Sequence, residues 1–194
     1  MPTGVALRDP REQLFAAAER ILRTQGAAAL TSRAVTDEAG CAKGVLHRHF
    51  ADFDTFLAEL VLARIARIDE QADRLARAAG TGSVTDHLVA ILFDVFDPIA
   101  LSVLGMIIAR DGLRARLRAA GVPGVPVLTE SATMITGYLR RERELGRLRP
   151  DVDPELTALT LIGTVQLIFA DPERPPDRAE VGRAVSAIVG GALA

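Results

Sequence analysis

Residues 31–50 read Thr-Ser-Arg-Ala-Val-Thr-Asp-Glu-Ala-Gly-Cys-Ala-Lys-Gly-Val-Leu-His-Arg-His-Phe, and their reading decides the fold. A hydroxyl at Thr31 or Ser32 can accept a hydrogen bond from one of the orphan amides of a helix start. Val35 and Ala39 lie four apart and give that helix one small buried face. Gly40 follows at once and can take the left-handed conformation that stops a helix. A second short helix fits Ala42–His49, with Val45, Leu46 and Phe50 available for packing. Two helices joined by a glycine-containing turn form a helix-turn-helix, whose second helix is sized for a DNA major groove.

Thr31 to Leu57 resembles the DNA-binding segment of the tetracycline-repressor (TetR) family of bacterial regulators. The matching residues are Thr31, Arg33, Val35, Ala39-Gly40, Leu46, His49-Phe50 and Leu57, in ungapped register. The likeness extends more weakly over the whole chain: Gly146–Pro154 resembles the connection before that family's last two helices. The resemblance implies an all-α protein. It would have an N-terminal three-helix helix-turn-helix domain over residues 1–51 and a helical effector-binding and dimerisation domain over 52–194. It also implies double-stranded operator DNA as partner, a small-molecule effector, a homodimer and, most often, a repressor.

Four positions depart from the family pattern. His47 stands where Tyr is usual, Ala42 where a capping Ser is usual and Thr36 where a small Ala is usual. Phe53 replaces a Lys, between Asp52 and Asp54. Each change weakens a DNA contact or adds negative charge beside it. On this reading the DNA-facing residues are Thr31, Ser32, Arg33, Lys43, Gly44, Val45, His47 and Arg48. Thr31, Ser32 and Arg33 would reach phosphates, Lys43 and His47 would face the groove, and Leu46 and Phe50 would pack inward.

Bulk properties agree with a helical regulator. The chain is 49% hydrophobic but only 4% aromatic, which favours helix over strand. Net charge is −2, so this is not a globally basic nucleic-acid binder. The distribution leans the expected way: residues 8–50 carry seven basic and five acidic groups, the remainder sixteen and twenty. Lys43, on the proposed recognition helix, is the chain's one lysine. One cysteine, Cys41, excludes an intrachain disulfide, fits a reducing cytoplasm and reads as a small buried hydrophobe. Neither Ile99–Ala109 nor Leu156–Ala170 is long enough to span a bilayer, which takes ~20 apolar residues. The expectation is a cytoplasmic protein with no membrane partner.

Taken in order, residues 1–8 read as an arm, and Asp9-Pro10 with Glu12 as a helix start. A long helix spans about 52–79, with Leu57, Val61, Ile65, Ile68, Ala72 and Leu75 in helical register. Ser83 and Asp97-Pro98 open two more helices. Arg110–Gly124 reads as a polar connection. Further helices start near Pro126, at Asp153-Pro154 and near Asp177. The helix from Glu155 is apolar nearly all round and must be covered on both sides. With the last helix it would form a four-helix dimer interface, through Leu156, Leu159, Val181, Val185 and Ile188.

Phe93, Phe96, Met106, Ile107, Met134, Tyr138, Gln166 and Phe169 could line a mostly apolar effector cavity, with few polar groups, as ligand sites have. The same residues would serve equally as core. An acidic effector would need an arginine of the 110–118 segment turned inward. No cofactor or metal is expected: His47 and His49 point apart on a helix, His87 stands alone, and no cysteine pair or phosphate loop exists. The chain is not read as an enzyme. The alternatives kept open are a helical dimer of the same fold that has lost DNA binding, and a helical enzyme.

Overall fold

The computed structural model describes residues 9–122, 124–171 and 174–193, so the arm expected at residues 1–8 lies outside them. The described residues form ten α-helices and no strand; an isolated bridge pairs Leu148 with Leu193. The helices are α1 (Pro10–Gln25), α2 (Ser32–Glu38), α3 (Gly44–His49), α4 (Phe53–Ala78), α5 (Val84–Val95), α6 (Pro98–Ala109), α7 (Asp111–Ala119), α8 (Leu128–Glu144), α9 (Pro154–Ile168) and α10 (Arg178–Val189).

Local capping chemistry starts most of them. Asp9, Thr31, Ser83, Asp153 and Asp177 each accept from an amide of the first turn, for α1, α2, α5, α9 and α10. Such a cap contributes about 1 kcal/mol. Pro10 and Pro154 occupy first-turn positions where a missing N–H costs nothing. α8 starts differently: Val127 sits at φ 75° and its amide donates to Glu130 Oε2 at 2.7 Å.

The chain divides into two compact units, one within Met1–Ala63 and Pro98–Gly124, the other within Arg64–Asp97 and Val125–Ala194. α6 and α7 belong to the same unit as α1, α2 and α3. In this first unit Ser102 Oγ donates to Leu22 O at 3.1 Å, fastening α6 to α1. The expected polar connection at 110–124 is largely helical. Leu113 and Leu117 of α7 lie one turn apart and are buried, and that pair offsets the arginines around it.

In the second unit, α8 and α9 pack through a stripe that includes Ile135, Leu139, Ala158, Leu161 and Val165, all fully buried. α10 covers α5 and α9 with Val181, Val185 and Val189. α4 contributes its first residues to one unit and its remainder to the other.

Candidate functional site

The two helices of residues 32–49 are held from behind and open in front. Gly40 has φ 66°, and Cys41 N donates back to Thr36 O at 3.0 Å, closing α2 in the manner of a Schellman turn. Leu46 and Phe50 are buried as expected. Phe50, Phe53 and Phe15 all pack on Phe56, with ring centroids 5.0, 5.6 and 5.5 Å away. Each such pair adds about 0.5–1.5 kcal/mol beyond its buried area. Arg11 braces three helices: it lies 4.4 Å over the Phe50 ring, donates to His49 O at 3.1 Å and pairs with Glu59. Arg20 Nε donates to Glu38 Oε1 at 2.6 Å and ties α1 to the end of α2.

The front face carries the expected groups. Thr31, Arg33, Lys43, Gly44, His47 and Arg48 are exposed, and Ser32 and Val45 are half-buried. Thr31 Oγ1 accepts from Ala34 N at 3.1 Å, which leaves its own proton able to donate to a phosphate. Among the described residues Arg33 pairs with Asp37, 3.5 Å away and itself exposed, so a phosphate could displace that partner at little cost.

The departures from the family pattern find local compensation. Thr36 is fully buried, and its hydroxyl is satisfied by Arg33 O at 3.0 Å and Ser32 O at 3.2 Å. Asp52 Oδ1 accepts from Thr55 N at 2.7 Å and from the Thr55 hydroxyl at 2.9 Å, and these bonds hold its carboxyl below the usual range. Its other oxygen pairs with Arg116 at 2.5 Å, and Asp54 pairs with Arg110 at 3.2 Å. The expected excess of negative charge is therefore neutralised from α7 and its N-terminal flank. Arg11, Arg110 and Arg116 were not legible as site residues, since no local spacing marks them. Cys41 is half-buried rather than buried. Partial burial, and then the Asp37 carboxylate, push its thiol up and away from reactivity.

Of the residues expected at an effector, Met106 and Ile107 are buried on α6 in the first unit, and the other six belong to the second. There Phe169 takes Phe93 edge-on at 5.3 Å and stacks on Phe96 at 5.7 Å. Gln166 is half-buried. Met134 and Tyr138 line a separate groove of about 400 Å³ between α8 and the Ile68–Ala76 stretch of α4.

His87 is not alone: its Nδ1 lies 3.0 Å from the Tyr138 hydroxyl. Burial first, and then the Glu142 carboxylate, hold the Tyr138 phenol far above its ordinary range, so it stays protonated. Glu142 is fully buried and accepts from Gly80 N at 3.3 Å. Its second oxygen lies 3.4 Å from Arg147 Nε, in ion-pair rather than hydrogen-bond geometry. Arg147 in turn donates to Thr81 O and Gly82 O at 2.8 and 2.6 Å. The turn after α4 is thus clamped by a buried polar chain.

On α9, Leu156, Leu159 and Leu167 are 63, 56 and 78% exposed, along one face. Val181 and Val185 are the correction: both are fully buried within the single chain, because α10 turns its valines onto α5 and α9. Ile188 is half-buried, and the outward face of α10 is Ala179, Arg183, Ser186, Ala187 and Gly190.

A helix-turn-helix head on a helical body defines a class, and comparison with known proteins narrows it. The sequence model of the family described as bacterial regulatory proteins, tetR family, matches residues 14–60. No curated protein matches the chain significantly by sequence. Solved structures that match over nearly the whole length include reduced NemR of E. coli, with TM-score 0.73 and 16% identity over 96% of this chain and 98% of that one. A TetR-family transcriptional regulator from Agrobacterium tumefaciens gives 0.71 and 14% over 95% and 98%. SmeT, the repressor of the multidrug efflux pump SmeDEF of Stenotrophomonas maltophilia, gives 0.64 and 18% over 96% and 92%. Residues 14–60 match the tetR-family model, and the chain shares the all-helical fold of these solved structures.

No single helix among the described residues is long and apolar enough to cross a membrane.

Proposed function

We propose that this chain is a homodimeric transcriptional repressor that holds double-stranded operator DNA and releases it when a small molecule binds the body. The observation that carries the reading is the front face of the head. Arg33, Lys43, His47 and Arg48 stand exposed on a helix-turn-helix whose opposite faces are clamped by Arg11, Arg20 and the phenylalanine cluster. A reader of this kind sets α3 in the major groove and takes phosphates at the start of α2.

The exposed leucines on one face of α9 support the dimer, since exposed large apolar side chains gathered on one face mark an interface. Two heads then require half-sites about 34 Å apart, or a multiple of that. SmeT, of the same fold, is a repressor and forms a complex with triclosan, which supports effector relief here. Relief works by linkage: an effector that binds best to the dimer whose heads are wrongly spaced lowers DNA affinity by its differential affinity for the two states.

The test is retardation, in a native gel at moderate salt, of duplex taken from upstream of the chain's own gene. Free mobility at every salt concentration would favour a helical dimer of this fold that has lost DNA binding.

A further inference from the structure

The groove between α4 and α8 is walled by carboxylates. Asp69 and Asp73, one turn apart on α4, stand on one side and Glu130 of α8 on the other; none of the lining residues is basic. Both aspartates are exposed, and among the described residues neither has an ion-pair partner. Glu130 is fixed in place by Val127 N, where the start of α8 offsets part of its charge. The floor is apolar, with Ile68, Ala72, Met134 and the ring of Tyr138.

From this juxtaposition we infer that the groove takes an organic cation with a compact apolar body, such as a quaternary ammonium or phosphonium. The body covers the apolar floor, and the charge meets Asp69 and Asp73. An acidic ligand would face three carboxylates, and Arg110, Arg114 and Arg116 are engaged within the first unit, with Asp54, Ile107 O and Asp52. The sequence expectation of an apolar effector is thereby narrowed in charge. An occupant pressing on Tyr138 also reaches the turn after α4, because Tyr138 bonds His87 and its neighbour Glu142 holds Gly80. The inference rests on the effector-relieved reading but is tested without DNA.

The experiment is calorimetric titration of the full chain, at low salt, with tetraphenylphosphonium and with tetraphenylborate, alike in shape and opposite in charge. The phosphonium should bind roughly tenfold more tightly, and Asp69→Asn with Asp73→Asn together should remove most of that difference. Gly137→Leu should weaken binding of both ions, because a side chain there fills the groove and meets no atom within 4 Å of its Cβ. Unchanged circular dichroism shows that each variant is folded. Equal affinity for the two ions, no binding of either, or phosphonium affinity untouched by the variants overturns the inference. Gel retardation of DNA by the same preparation separates the two ideas. Retardation without phosphonium binding sinks only the groove assignment, and phosphonium binding without retardation sinks only the repressor.

Discussion

Arg110 Nη1 donates to Asp54 Oδ1 at 3.2 Å, joining the segment between α6 and α7 to the first turn of α4. The same guanidinium lies 5.7 Å over the Phe53 ring. The first turn of α4 follows α3 directly, so this pair both fixes the end of the helix-turn-helix and cancels a negative charge beside it. Arg110→Ala should destabilise the protein by only about 0.5–1 kcal/mol, because both partners are more than a third exposed. It should also weaken DNA binding by unmasking Asp54. Urea denaturation and a DNA titration read the two effects; unchanged DNA affinity would show that Asp54 is remote from phosphate.

Asp52 makes a pH prediction. Its folded-state pKa is lowered from the ordinary 3.8, first by Thr55 N, then by the Thr55 hydroxyl. A depressed carboxyl stabilises the fold above its ordinary pKa and loses that contribution as pH falls through the folded value. Asp52→Asn should therefore lower the melting temperature at neutral pH, and the gap to wild type should close as pH drops below 3.8. A gap that stays constant to acid pH would show that the charge is irrelevant.

Glu142 is a costly residue to remove from the body, because it is a fully buried charge. Glu142→Ala leaves Gly80 N without its acceptor and Arg147 without its counter-charge inside the fold, at about 3–5 kcal/mol. Tyr138→Phe removes the hydroxyl's contacts with His87 and Glu142 but leaves no charge without a counter-charge, and should cost about 1 kcal/mol. Chemical denaturation of the two variants checks the order, and a larger loss for Tyr138→Phe would reverse the roles assigned here.

Leu159 and Val185 separate assembly from folding. Leu159 is 56% exposed in the protomer and Val185 is fully buried. Leu159→Glu should give a folded monomer by sedimentation, whereas Val185→Glu should unfold the protomer. A wild-type protein that sediments as a monomer at micromolar concentration contradicts the proposed interface.

The legible parts of the fold were those set by local chemistry. Asp9, Thr31, Ser83, Asp153 and Asp177 announce their helices because a cap and its amides lie within three residues. The front face of the head was legible for the same reason: in two short helices, burial of Leu46 and Phe50 leaves Lys43 and His47 outside. α7 was missed because its arginines and Gly112 hide a stripe of only two leucines. The pairs Arg110–Asp54 and Arg116–Asp52 span 56 and 64 residues, a separation that no periodicity encodes. Val181 and Val185 show the limit of an apolar stripe, which tells that a face is buried and not which chain buries it.

Arg33 tests the phosphate role of the α2 start. Arg33→Ala should weaken binding to all duplexes alike and flatten the dependence of log K on log salt by about one contact, a slope change near 0.9. An unchanged slope would leave Arg33 with only its Asp37 partner to explain it.

The central claim, that this head reads DNA, is met most directly by fluorescence anisotropy of labelled upstream duplex titrated with the full chain across a salt series. The account predicts saturable binding whose affinity falls linearly in log–log form with salt, and tighter binding to upstream duplex than to a scrambled one. Anisotropy that stays flat with protein in the tens of micromolar at about 50 mM salt, where even non-specific phosphate contacts should register, would contradict it.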